Sequence, residues 1–429
     1  MFSIICLYVI KQYINSNKIN NFEYIIIILF SILGLLILST SNNLITAYLA
    51  IELQSLAFYV LASFKKNSNF SIDAGVKYFI LGAVSSNLFL FGSSFIYGLT
   101  GSTNFDDFYY LFSFSPQYNV TECLIKRYYE FGFDNLINHD NLIKISLSFI
   151  FVSLFFKLAL SPFYIWVPDV YEGSPTSTTA FFSTIPKLGI FVFLIKISYY
   201  CFYCLFESWR HLIIFIAILS IIIGSFAGLE QRKLKSLLAY SSVSHMGYSL
   251  IAFSTGTWLG VKMLLSYLLI YIGSSLSIWS IFILTQLKNN SLNKYNKDLT
   301  DLILLNKSNK QLAICFIILL FSIAGFPPMI GFLVKINIFL STITIKSYYI
   351  AIIGILCGVA STFYYLRLIK IIYFEKNING NLYNPIKSDS VYIIVIFLYL
   401  LIFLFINPSL LYLNVFKTSY NFYNLVLLT

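Results

Sequence analysis

Apolar residues in this chain gather into runs of about 20, such as "NLFLFGSSFIYGLTG" and "IIFIAILSIIIGSFAG" with their flanks. A bilayer core about 30 Å thick is crossed by a helix of about 20 apolar residues. Strands of a membrane barrel would alternate apolar and polar over about 10 residues, and these runs do not alternate. Charged residues make up 10% of the 429, against about 25% in soluble domains. Mean hydropathy is +0.82. The reading is an all-α polytopic membrane protein, and soluble folds are excluded.

Eleven apolar stretches are read as membrane helices: 22–41, 44–63, 76–99, 142–164, 178–203, 211–229, 236–253, 258–286, 311–342, 348–373 and 391–412. The fourth runs past "LSPF", and the ninth carries "AGFPPMIG" in its middle, so both are expected to be broken. The whole chain, 1–429, reads as a single transmembrane domain. It comprises an interfacial segment 1–21, a first helix group 22–203, a second group 211–373, and a connecting loop with the last helix in 374–429. Residues 100–141 form its longest polar loop.

The net charge of +11 would suggest nucleic acid on a soluble protein. Here the basic residues sit in short loops between apolar runs, so no nucleic-acid partner is expected. With helices alternating, fifteen basic loop residues fall on one side, including Lys65, Lys66, Arg232, Lys233 and Lys235. Six fall on the other, including Lys126, Arg127 and Lys346. Positive charge stays inside, which puts the N-terminus on the cytoplasmic or matrix side. The six cysteines lie mostly in or beside apolar runs, and "CFYC" (Cys201 to Cys204) has no second pair. No metal site, iron–sulfur cluster or dinucleotide fingerprint is expected in the chain.

Some charges stand where lipid should be, and each costs about 2.5–3.5 kcal/mol at mid-bilayer on insertion scales. At about 1.5 Å per residue, Glu52 lies roughly 12 Å into its helix, Lys187 and His245 about 14 Å into theirs, and Lys157 about 22 Å along its own. Lys335 follows the break in the ninth stretch. Snorkelling to the interface suffices for Lys77, Lys144, Lys196, Lys262 and Arg367. It does not reach as easily for the deeper set. Glu52 alone could be a neutral, hydrogen-bonded acid, and His245 alone a satisfied core histidine. Taken together, burial disfavours charge on a lysine and a nearby carboxylate favours it, so such a row has coupled charge states. Rows of this kind suit proton transfer across a membrane.

Proline removes a backbone donor and breaks the helix ladder. Pro162, Pro327 and Pro328 thus mark candidate breaks beside Lys157 and Lys335. Broken helices at membrane depth are tolerated where protein or water satisfies the freed groups, and in transporters they mark the ion path.

At these residues the sequence resembles the antiporter-like membrane subunits of respiratory complex I, and among them the NADH dehydrogenase subunit 2 family. The likeness is carried by "FFKLALSPFYIWVPDVYEGSPTSTTAFFSTIPKLGIF", "AIELQSLAFYVLASF", "RKLKSLLAYSSVSHMGY" and "AGFPPMIGFLVKINIF", and it extends over roughly 42–367. It implies two inverted five-helix repeats. It implies that Glu52 and Lys157 form a pair, that Lys187 lies on a central hydrophilic axis, and that Lys335 belongs to the second broken helix. His245 takes the place of a protonatable residue. It implies proton translocation in the mitochondrial inner membrane, driven by electron transfer elsewhere. NADH, FMN, iron–sulfur clusters and ubiquinone would be bound by other subunits and none by this chain. Partners would be other membrane-arm subunits, including antiporter-like subunit 4, and lipids. The eleven helices fall short of the bacterial fourteen at the N-terminus, and loop 100–141 is enlarged on the intermembrane-space side. A multi-subunit cation/proton antiporter and a purely structural membrane-arm subunit are the alternatives.

Overall fold

The computed structural model describes residues 2–17, 22–66, 68–112, 136–287, 294–295, 298–375 and 388–427. Cys123 and most of loop 100–141 lie outside them, as do much of 287–310 and of 375–390. Nearly everything described is helix. Helices α1 (Phe2–Asn17), α2 (Glu23–Thr40), α3 (Leu44–Ala62) and α4 (Asn69–Thr100) come first. The short α5 (Phe105–Phe112) lies inside the stretch read as a loop, and α6 (Leu136–Leu158) follows. Next are α7 (Trp166–Gly173), α8 (Thr176–Phe182) and α9 (Ile185–Ile195), the last running into a π-helical segment, Lys196–Cys201. Then come α10 (Phe206–Leu229), α11 (Leu234–Phe253), α12 (Trp258–Leu284), α13 (Lys310–Ala324), α14 (Ile330–Thr344), α15 (Tyr348–Tyr373), α16 (Ser388–Ile406) and α17 (Ser409–Leu427). Two two-residue strands, β1 (Gln286–Leu287) and β2 (Lys294–Tyr295), pair antiparallel.

Each of the eleven predicted stretches carries helix. Among the described residues, eight helices are long and apolar enough to cross a bilayer, or nine if the pair α16–α17, bent by 89°, is one span. The other stretches fall short for physical reasons. α11 carries Ser236, Ser241, Ser242, Ser244 and His245, which dilute its hydropathy. α13 and α14 are half-length, each 15 residues. Helices α4, α6 and α10 start five to seven residues earlier than expected, and three boundaries differ because of proline. The fourth stretch leaves the helix at Leu158, before its proline. The fifth is interrupted at Ser183–Thr184, because Pro186 sits in the first turn of α9 and cannot continue the ladder of α8. The last ends at Ile406, before Pro408. Segment 1–21, read as interfacial, contains α1, which buries Cys6, Val9, Ile10, Tyr13 and Ile14. That is the i, i+3, i+4, i+7 stripe of an amphipathic helix, and it packs on α8, α12 and α16.

Helices α8, α9, α11 and α12 form the centre. α11 is buried along almost its whole length, and α12 along most of its own. Around them α2, α3, α4 and α6 pack on one side and α10, α13, α14, α15 and α16 on the other. The outer helices turn large apolar side chains outward, for example Leu36, Leu56, Phe79, Phe215 and Leu356. That inversion, polar residues central and apolar ones peripheral, fits a lipid solvent.

Candidate functional site

The two proline breaks are built alike. At the end of α6, Ala159 takes φ +62°. Its N–H donates to the Phe156 carbonyl at 3.1 Å, and the N–H of Leu160 donates to Phe155 at 3.0 Å. At the end of α13, Gly325 takes φ +86°, its N–H donates to Phe321 at 3.0 Å, and the N–H of Phe326 donates to the same carbonyl at 3.1 Å. Both are left-handed C-caps that satisfy the last carbonyls of a helix. In each, the third residue beyond the left-handed one is a proline, Pro162 or Pro328, and Pro327 precedes the second. Both Pro162 and Pro328 follow cis peptide bonds.

Lys157 lies in the last turn of α6, two residues before its cap. Its Nζ is enclosed, sits 5.8 Å from the centroid of the Tyr59 ring, and has no hydrogen-bond acceptor within reach among the described residues. Glu52 is half-buried on α3. Ser55, one turn on, donates to its Oε2 at 3.4 Å. Glu52 and Tyr59 are seven residues apart, hence on one face of α3. Glu52 and Lys157 form no ion pair within 4 Å. The only two such pairs among the described residues are elsewhere. The structure therefore places Tyr59 beside Lys157 and leaves the expected pair out of direct contact.

Lys187 stands in the first turn of α9, just after the break, and is 2% exposed. Its Nζ also has no acceptor among the described residues and lies 5.6 Å from the Tyr271 ring centroid. Tyr271 in turn is 5.0 Å from the ring of His245. His245 is satisfied at both nitrogens: Nδ1 meets the Tyr267 hydroxyl at 2.6 Å, and Nε2 meets the Tyr365 hydroxyl at 3.0 Å. On its far side Tyr248 lies 6.4 Å away. Over the ring of Tyr248, at 5.3 Å, sits Nζ of Lys335. Lys335 donates to the carbonyls of Ile323 at 3.1 Å and Ala324 at 2.8 Å. Those are the terminal carbonyls of α13, the negative end of its dipole. A cavity of about 10 Å³ lies beside Tyr271, the ring under Lys187. Ser183, Ser241, Tyr271 and Ser275 line it along with Ile323, and it has room for about one water.

Lys187, His245 and Lys335 are thus brought together through tyrosine rings, while Lys157 lies over Tyr59, seven residues along α3 from Glu52. A cation on an aromatic face gains about 2 kcal/mol or more when desolvated. That offsets part of the cost of a charge without a counter-ion.

Residues 41–361 match the family described as "NADH:quinone oxidoreductase/Mrp antiporter, TM". The chain is 40% identical over 402 residues to the NADH-ubiquinone oxidoreductase chain 2 of Marchantia polymorpha, which covers 94% of this chain and 77% of that one. The chain belongs to this family.

Within it, subunit N of the NADH-quinone oxidoreductase of Pelagibacter ubique is 40% identical over 365 residues, 85% of this chain and 72% of that one. A chain of respiratory complex I from Thermus thermophilus superposes with a TM-score of 0.77 at 26% identity, over 96% of this chain and 84% of that one. The family's antiporter-like fold is therefore the fold of this chain. The motifs that carry the resemblance hold the lysines together with Tyr59 and Tyr248, but not Tyr267, Tyr271 or Tyr365. The tyrosines around the axis escape a reading of charges. Spacing could have revealed some of them: Tyr267 and Tyr271 are one turn apart on α12, and Tyr248 follows His245 by three residues on α11.

Proposed function

We propose that this chain conducts protons through the membrane arm of NADH:ubiquinone oxidoreductase, with electron transfer in other subunits driving the charge states of its axis. In this reading Glu52 and Lys157 receive the driving signal. Lys187 is the central proton carrier, His245 and its tyrosines relay, and Lys335 passes the proton on. The carrying observation is Lys187, a fully enclosed amine in an apolar helix with no acceptor among the described residues and a ring face as its neighbour. A buried charge left uncompensated costs several kcal/mol, so such an amine is suited to holding a proton only transiently. The location is the inner mitochondrial membrane, with the N-terminus on the matrix side. Neighbouring membrane-arm subunits, antiporter-like subunit 4 among them, and lipids would cover the apolar periphery. NADH, FMN, iron–sulfur clusters and ubiquinone would be held by other subunits.

Lys187→Met in the assembled complex is expected to lower the protons moved per NADH oxidised. The complex should remain in the NADH-active band of a native gel. An unchanged ratio in an intact complex would sink the role of Lys187. The family description also embraces Mrp antiporters. Migration of the chain in a separate band without NADH oxidation, with sodium-dependent proton flux, would favour that second reading.

A further inference from the structure

Between the two lysine-bearing helices α6 and α9 the chain leaves the axis and returns through α7 and α8. α7 is wedged between α4 and α11. Its first residue, Trp166, donates from Nε1 to the carbonyl of Phe156 at 3.0 Å, one residue before Lys157. Its acidic residues reach opposite neighbours. Asp169 Oδ2 accepts from Lys77 of α4 at 2.6 Å. Glu172 accepts from Lys233, the residue that opens α11. At its end, Lys235 donates to the carbonyl of Ser174 at 2.6 Å, where the chain turns into α8. Lys77, which charge position alone would assign to snorkelling, is thus committed to α7.

All four side chains of these pairs are at least 39% exposed, and such pairs contribute about 0–1 kcal/mol to stability. Holding the fold together is not what two exposed pairs do well. Fixing the orientation of a short helix, whose apolar face is already packed, between its two neighbours is. We infer that Asp169 and Glu172 are positioning residues that clamp α7 between the first helix group, through Lys77, and the second, through Lys233. The clamp sets Lys157 relative to Lys187. It rests on the reading of those lysines as proton carriers.

The test is made in vesicles containing the whole complex, measuring NADH oxidation with uncoupler and protons moved per NADH without it. Asp169→Asn and Glu172→Gln are expected to assemble, to keep the uncoupled rate, and to lose part of the proton ratio. Glu172→Lys is expected to lose more, and Glu172→Lys with Lys233→Glu to regain it, a rescue that a mere packing role would not give. If an acid variant fails to assemble, Lys77→Gln and Lys233→Gln cut the same pairs from the other side. An unmoved ratio in the single variants, or a charge-swapped double variant no better than Glu172→Lys, overturns the clamp. Lys187→Met in the same vesicles tells the two readings apart. If it lowers the ratio and the acid variants do not, the clamp alone falls. If it too leaves the ratio unmoved, the carrier reading falls and the clamp with it.

Discussion

Three lysines that look equivalent in the sequence are held in two different ways. Lys157 and Lys187 rest on tyrosine faces without an acceptor among the described residues, whereas Lys335 also has two carbonyls at a helix end. Lys335 is therefore the amine whose protonated form is most specifically solvated by the protein. Gly325 makes this possible. Its φ of +86° disfavours any side chain, and a Cβ there would lie 3.0 Å from Lys335 Cδ and 3.3 Å from its Nζ. Gly325→Ala should destabilise the cap by roughly 1 kcal/mol or more and push the ammonium off its carbonyls. The expected result is an assembled complex with a lowered proton ratio. A ratio equal to wild type would show that those carbonyls do not matter to transfer.

Among the elements, α7 is packed with little room to spare. A Cβ on Gly173 would meet the Phe70 carbonyl oxygen at 2.4 Å and the Ala74 Cβ at 2.6 Å, so α7 lies almost backbone to backbone on α4. Gly173→Val should force them apart at a cost of about 1–3 kcal/mol. It should appear as a lower melting temperature or a weaker native-gel band, unlike Asp169→Asn, which removes a charge and leaves the packing intact. The elements themselves were largely legible, because the apolar runs and the prolines are local signals. The break at Ser183–Thr184 was not, since Pro186 sits inside an otherwise apolar run that hydropathy reads as continuous. α17 was missed because Tyr412, Asn414 and Lys417 dilute it. The deep lysines were visible as charges out of place. Their aromatic partners come from other helices, so no local pattern announces them.

At the scale of the whole molecule, the distribution of basic loops is the only handle on orientation. The turn between α10 and α11, with exposed Glu230, and the start of α15, with Tyr348 55% exposed, lie at opposite ends of α15-length spans. With the matrix holding the positive side, a cysteine at Glu230 should react with an impermeant maleimide only in inside-out vesicles. One at Tyr348 should react only in right-side-out organelles stripped of the outer membrane. The reverse pattern would invert the proposed topology. The apolar stretches and the two similar breaks were legible from hydropathy and proline, and the central polar core is what the family resemblance implied. The cross-links through α7 are global, and they join residues as far apart as Lys77, Asp169 and Lys233, which no window of sequence displays together.

The seat of Lys335 carries one more implication. The ammonium closes the gap between α13 and the start of α14 by bonding the last carbonyls of one half-helix from the body of the other. Closure of that break and the seating of the ammonium are therefore one event: drawing the halves apart strips the cation of both carbonyls, and restoring those bonds brings the halves together. The broken helix is in this sense a latch whose pin is a side chain.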